Sequence, residues 1–224
     1  KSRQGEISTV RSVLADENSV NAFDAVCSWR YKRRLVDNYP VGMEDDKYNL
    51  GLFGRSGFHY DLVYDCGCYD LSFLSYLKKA TVSFAKYIAF EPDPKRFDAC
   101  LIESQKHDDE IIIGKEALYD QVGPGIFLAN GLLSARLVDD AVVSEEVLRV
   151  NRITLDSYHD SRSQLKPASH NKVLIKMHIE GAEPAAIKGA LKLIASTQSD
   201  LYINISHDEP SLLEVPVIIS ELGK

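Results

Sequence analysis

The sequence contains no apolar run approaching the ~18 to 20 residues needed to cross a bilayer, and its opening stretch KSRQGEISTV lacks the hydrophobic centre of a signal peptide. The expectation is a cytoplasmic chain without a membrane span. Cysteine is scarce. Cys27, Cys66, Cys68 and Cys100 show no zinc-site spacing, and Cys66 and Cys68 flank a glycine in an apolar stretch, which favours reduced, buried thiols over a disulfide framework. Positive charge is in deficit: a net charge of −7 and an isoelectric point near 5.4 argue against a phosphate-tracking surface, so no nucleic-acid partner is expected. The basic cluster RYKRR (30–34) reads as the solvated end of a helix. Internal repeats and low-complexity tracts are also missing. What is present is 224 residues, 45% of them hydrophobic, enough to bury a substantial core in one large domain or in a domain with an N-terminal attachment.

Two rhythms divide the chain. Residues 1–58 hold two helix-like segments, the second started by Asp16 to Ser19 and carrying Val20, Phe23, Val26, Cys27 and Arg30 at helical spacing. After glycines 51, 54 and 57, short apolar strands alternate with helices: DLVYDCG (61–67), LSFLSYLKKA (71–80), KYIAFEPD (86–93), KRFDACLIESQK (95–106) and IIIGKEALYD (111–120). Residues 121–160 are less regular, with one strand expected around RVNRITL (149–155). The alternation resumes in NKVLIKMHI (171–179), a single helix PAAIKGALKLIAS (184–196), the strand DLYINISH (200–207) and a closing helix with Pro216 in or near its first turn. Such alternation predicts right-handed βαβ units and an α/β, doubly wound, mostly parallel sheet with an N-terminal helical segment.

Ligands of open α/β sheets bind at the carboxyl ends of the strands, where strand order reverses. The first strand ends in Asp65, Cys66 and Gly67 and turns straight into a helix, while the second ends in Glu91, ~24 residues past Gly67. A carboxylate there is placed to accept both hydroxyls of a ribose, which makes the pair a nucleoside site. A dinucleotide fingerprint needs G-x-G-x-x-G, but the turn reads DCGCYDL, with Tyr69, Asp70 and Leu71 where further glycines would admit a pyrophosphate. This disfavours a nicotinamide dehydrogenase. A nucleoside cofactor without phosphates fits better, and S-adenosylmethionine is the obvious one.

The stretch IKMHIEGAE (175–183) closes an apolar run with three ionisable groups, Lys176, His178 and Glu180, on what period-two alternation makes one strand face. A Lys176–Glu180 ion pair is the purely structural alternative. Glu183 reads equally as a carboxylate stabilised at a helix N-terminus. His178, Glu180 and His207 have the residue types of a metal site, but no spacing enforces one and no metal is assigned. Trp29 and the Tyr31 region read as ordinary packing.

The segments VYDCGCYDLSF, YIAFEPDPKRF, EALYD, RITLDSY and VLIKMHIEGAEPAAIKGALKLI, followed by LYINISHDEPSLLEVPVII, resemble in order and spacing the FkbM-type S-adenosylmethionine-dependent methyltransferases, over roughly residues 60–222. The resemblance implies a class I methyltransferase fold, Rossmann-like, and O-methylation of a sugar, glycan or small-metabolite hydroxyl. It implies a methyltransferase domain over 59–224 behind a 1–58 helical extension. It also implies Asp65, Gly67 and Tyr69 in the methionine-binding turn, Glu91 as ribose ligand, and Ala117 with Leu118 at the adenine edge. Catalytic roles fall on His178 as base, on Glu180 or Glu183 as acceptor-orienting carboxylates, and on Lys176 as the charge that holds His178 neutral, a histidine ordinarily titrating near ~6.5. Two departures matter: the family usually has glycine at Leu71, which adds bulk beside the cofactor turn, and aspartate at His178. The alternative they motivate is a degenerate, non-catalytic methyltransferase-like binding domain of a larger protein. The antiparallel strand pair that usually finishes this fold is also missing from the sequence, which leaves room for a truncated domain and for a further domain or a homo-oligomer in acceptor selection.

Overall fold

A computed structural model describes residues 3–32, 58–128, 136–138, 147–162 and 171–223. Helices α1 (Arg3–Val13) and α2 (Glu17–Lys32) come first, the second started by Asp16, whose carboxylate accepts from the Ser19 N–H. A βαβαβ run follows: β1 (His59–Cys66), α3 (Ser72–Lys79), β2 (Ser83–Phe90), α4 (Pro94–Ser104) and β3 (Ile111–Gly114). Next come β4 (Ala117–Leu118), β5 (Gly123–Leu128), β6 (Arg136–Val138), β7 (Val147–Ile153) and α5 (Leu155–Asp160). The chain then runs through β8 (Lys172–Met177), α6 (Glu183–Lys188), α7 (Leu191–Ser196), β9 (Gln198–Ile203) and α8 (Glu209–Glu221).

The main sheet has the order β3-β2-β1-β8-β9, every pairing parallel. Its architecture is the doubly wound Rossmann-like one. Side chains alternate along β1, so Leu62, Tyr64 and Cys66 enter a core shared with α5, α6, α7 and α8, while Val63 enters the opposite core with Phe73, Leu74 and Leu77 of α3 and Cys100 of α4. Helix α2 buries Phe23 and Cys27 with Val10 of α1 against Leu212 and Leu213 of α8. Among the described residues no helix is long and apolar enough to cross a membrane, and all four cysteines are free and buried.

Several sequence expectations need correction. The irregular stretch builds a second sheet, β4-β7-β5-β6, whose β5 is antiparallel to both β6 and β7. Its strands carry few buried residues, so periodicity was faint. The stretch 111–120 serves two sheets: Ile111–Gly114 pairs with β2 and Ala117–Leu118 with β7. The single helix expected over 184–196 breaks at Gly189, because Asp156 of α5 accepts the Lys192 and Leu193 N–H groups and so caps α7 from outside. Pro216 lies inside α8, which is capped earlier by Asp208 and has Pro210 at its start. The basic cluster is not merely solvated, since the Arg30 guanidinium donates to the Ser206 carbonyl; Arg33 and Arg34 lie outside the described residues.

Gly189 has an ordinary φ of −79°, yet a Cβ there would collide with the Tyr119 carbonyl oxygen and crowd Thr154. Gly189→Ala should therefore destabilise the protein by about 2 kcal/mol through overpacking alone, lowering the urea midpoint at constant m.

Candidate active site

Strand order reverses between β1 and β8, and the tips of these two strands and of β2 form one cleft. Its volume is about 840 Å³ including a wide mouth, which accounts for most of the space, and the enclosed part is narrow.

The cleft floor begins at Gly67, whose φ of +78° no β-substituted residue adopts cheaply and whose missing Cβ would strike the His178 carbonyl. The strands can cross this closely only with glycine. Below it, the Lys176 ammonium donates to Asp65 Oδ1 at 2.7 Å and to the Gly67 carbonyl at 2.7 Å, and the Tyr87 hydroxyl donates to Asp65 Oδ2 at 2.6 Å. Lys176 therefore pairs with Asp65, not with Glu180, and its charge is spent on closing the turn. Asp65 is fully buried beneath the floor and does not line the cleft, contrary to its expected cofactor contact.

Glu91 follows the last residue of β2. Its two oxygens accept from the Tyr69 N–H and the Asp93 N–H, both at 3.0 Å, and each retains lone-pair capacity at the cleft. Burial pushes its carboxyl up to about 7, and the two backbone donors recover only part of that shift. Tyr69 adopts φ 54°, which turns its N–H toward Glu91, and its ring lies 3.9 Å from the Arg96 guanidinium carbon. Ala117 and Leu118 form the opposite wall, joined by Phe127 and Leu137 from the second sheet. Sequence reasoning missed Arg96, Phe127 and Leu137; the last two lie in the segment read as irregular.

Leu71 also departs from expectation. Its side chain is buried in the core with α3 and stays off the cleft wall, so it adds no bulk at the turn. Its φ of 59° lies in the left-handed region, where glycine would be the least strained residue.

Beyond β8, His178 and Glu180 reach the cleft from a loop instead of from one strand face, because the strand ends at Met177 and Glu180 turns the chain at φ 57°. Adjacency of β8 and β9 brings His207 to the same place: Glu180 Oε1 lies 3.4 Å from His178 Nε2 and Glu180 Oε2 lies 3.2 Å from His207 Nδ1. Glu183 is not at the cleft surface. It is fully buried and accepts from the Ile179 and Gly181 N–H groups at 2.8 Å each and from the Ser211 hydroxyl at 3.3 Å, a fastening for the loop.

No family model and no curated protein matches the sequence. In fold, the chain is similar to the crystal structure of methyltransferase FkbM from Methylobacillus flagellatus KT, with a TM-score of 0.67 over 97% of this chain and 52% of that one at 18% identity. The chain thus spans about half the length of that protein, and the likeness establishes a shared doubly wound α/β fold.

Two outcomes test the floor. Lys176→Met should cost about 3–5 kcal/mol in chemical denaturation by stranding the buried Asp65 charge, and adding Asp65→Asn should recover a large part of that loss. Leu71→Gly should relieve the left-handed strain yet lose more through the cavity it opens, for a net destabilisation of about 2 kcal/mol.

Proposed function

We propose that the chain is an S-adenosylmethionine-dependent O-methyltransferase acting on a sugar, glycan or small-metabolite hydroxyl. The observation that carries this reading is Glu91: a buried carboxylate at the switch-point crevice, held on two backbone N–H groups with its remaining lone pairs toward the cleft. Two vicinal hydroxyls of a ribose complete that coordination, and Ala117, Leu118 and Phe127 offer apolar surface for the attached base. The turn lacks the remaining glycines of the dinucleotide fingerprint, which disfavours nicotinamide dinucleotides. The cofactor, when bound, supplies an electrophilic sulfonium methyl. The chain's own contribution is alignment and proton removal. Gly67 lets the His178 backbone close against the β1 turn at the cleft floor, Glu91 sets the ligand's orientation, and His178 and Glu180 face the same cleft as groups able to orient and deprotonate an acceptor. In this reading residues 59–224 are the methyltransferase domain and 1–58 its helical extension, with α1 and α2 fastened to α8.

The test is calorimetric titration with S-adenosylhomocysteine. The ionised form of Glu91 accepts both hydroxyls, so affinity should rise with pH through about 7, falling up to about tenfold for each unit below it, with proton release on binding near neutrality. Glu91→Gln should flatten that profile and weaken binding. Heat from S-adenosylhomocysteine without turnover on any hydroxyl panel would instead mark a binding domain of the same fold.

A further inference from the structure

The loops leaving β8 and β9 assemble three side chains of metal-ligating chemistry at the rim of the cleft. The donor atoms of His178, Glu180 and His207 lie within 4.8 Å of one another, and the two imidazole centroids are 4.8 Å apart. Two metal–ligand arms of about 2.1 Å at the tetrahedral angle end roughly 3.4 Å apart. The two histidine–carboxylate separations, 3.4 Å to Glu180 Oε1 and 3.2 Å to Glu180 Oε2, have about that span, so the carboxylate meets a shared cation through both of its oxygens.

A single histidine–carboxylate hydrogen bond would explain either pair by itself, but the surrounding bonds favour a ligand role. The Ser206 N–H and hydroxyl both donate to Asn204 Oδ1, at 2.8 and 2.7 Å, which orients the Asn204 amide so that its NH₂ faces His178 Nε2 at 3.1 Å. An amide NH₂ only donates, so Nε2 presents a lone pair and the ring proton sits on Nδ1. That is the tautomer a cation requires, and it leaves the lone pair facing a carboxylate oxygen with no proton between them. On the other side, His207 Nδ1 faces Glu180 while its buried Nε2 has no hydrogen-bond partner. The buried Glu183 carboxylate lies 3.9 Å from Nε2. A cation on Nδ1 places the proton on Nε2, and a small ring rotation makes Glu183 its acceptor, completing the carboxylate–histidine–metal relay common in metalloproteins. The left-handed Glu180 backbone puts its carboxylate between the two rings, and Arg30 pins Ser206 next to His207.

We propose that His178, Glu180 and His207 bind one divalent transition-metal cation of the zinc or cobalt type, with an open coordination position on the cleft side for the acceptor hydroxyl. The second half of this statement rests on the methyltransferase reading; the cation site itself does not. A hydroxyl bound there is acidified, as metal-bound water is. Its proton leaves to solvent, the oxygen lone pair forms the new O–CH₃ bond, and the S–CH₃ bonding pair returns to sulfur as the sulfonium becomes a thioether.

The test uses the full chain, stripped with a chelator and dialysed, titrated with zinc by calorimetry and with cobalt by visible absorption. The expected result is one cation per chain with the d–d spectrum of a low-coordinate nitrogen–oxygen site. His207→Ala, His178→Ala and Glu180→Gln should each weaken binding by more than about tenfold, and Glu183→Gln by about tenfold. Far-ultraviolet circular dichroism and the urea midpoint, measured on the same proteins, report that the ligand variants remain folded, and S-adenosylhomocysteine titration of the unsubstituted chain tests the methyltransferase reading separately. Absence of a one-to-one site, or affinity unchanged by His207→Ala and Glu180→Gln, overturns the cation site even where S-adenosylhomocysteine binds. Cation binding with no S-adenosylhomocysteine binding upholds the site and sinks the methyltransferase reading instead.

Discussion

One buried ammonium organises the centre of this protein. Lys176 of β8 reaches across to β1 and holds both the Asp65 carboxylate and the Gly67 carbonyl, so the turn that leaves β1 is fastened to the neighbouring strand just where strand order reverses. Taking two charges out of water offsets most of what their attraction returns, so the pair adds little net stability. Its effect is positional. With the turn held, the Gly67 and Cys68 N–H groups meet the Phe90 carbonyl, the Tyr69 N–H meets Glu91, and the His178 N–H meets the Cys66 carbonyl. The three strand tips that shape the cleft are thereby set in one register, and the Tyr87 hydroxyl satisfies the second Asp65 oxygen.

Backbone strain is concentrated around the same point. Among the described residues, the non-glycine positions with left-handed φ are Tyr69, Leu71, Thr81 and Glu180, and three of these four border the β1 turn or the β8 loop. Each costs on the order of 1–3 kcal/mol. The compensation is visible for each of the three: Tyr69 gains the Glu91 hydrogen bond, Leu71 gains full burial, and Glu180 stands in a loop that Glu183 fastens through two N–H bonds. The strained residues differ in purpose. Leu71 serves the core, whereas Tyr69 and Glu180 face the cleft.

The alternation of apolar runs and helices was enough to read the parallel sheet, because strands buried on both faces must be near-continuously apolar. Glu91 was legible for a related reason: a carboxylate directly after such a strand falls at a crevice by topology alone. Asp65 and Lys176 misled because alternation says which face a side chain leaves from but not how far it reaches, and a long lysine stem carries its charge under the floor to a partner on another strand. Of the two readings of Glu183, the carboxylate at a helix N-terminus fits: it opens α6, and its oxygens accept from the N–H groups of the preceding loop and so are turned away from the cleft. Apart from the strand read around β7, the second sheet escaped notice because its short strands are partly exposed and β5 is punctuated by glycine, and the Gly189 break because its cause, Asp156, is remote in sequence.

The exchange of an expected aspartate for His178 changes the charge at the rim more than its shape. An aspartate with Glu180 would place two anions at the rim, which under the methyltransferase proposal would stabilise the charged sulfonium donor and resist its conversion to a neutral thioether. An imidazole, which is never anionic here, removes one of them. If a dication then sits on two imidazoles and one carboxylate, the site carries a net single positive charge, which acidifies a bound hydroxyl more strongly than a charge-neutral ligand set would. The same positive charge disfavours a nearby sulfonium in the ground state and favours the transition state, in which positive charge leaves sulfur. Histidine at position 178 is thus a coherent electrostatic alternative to aspartate, provided that the cation is present to use it.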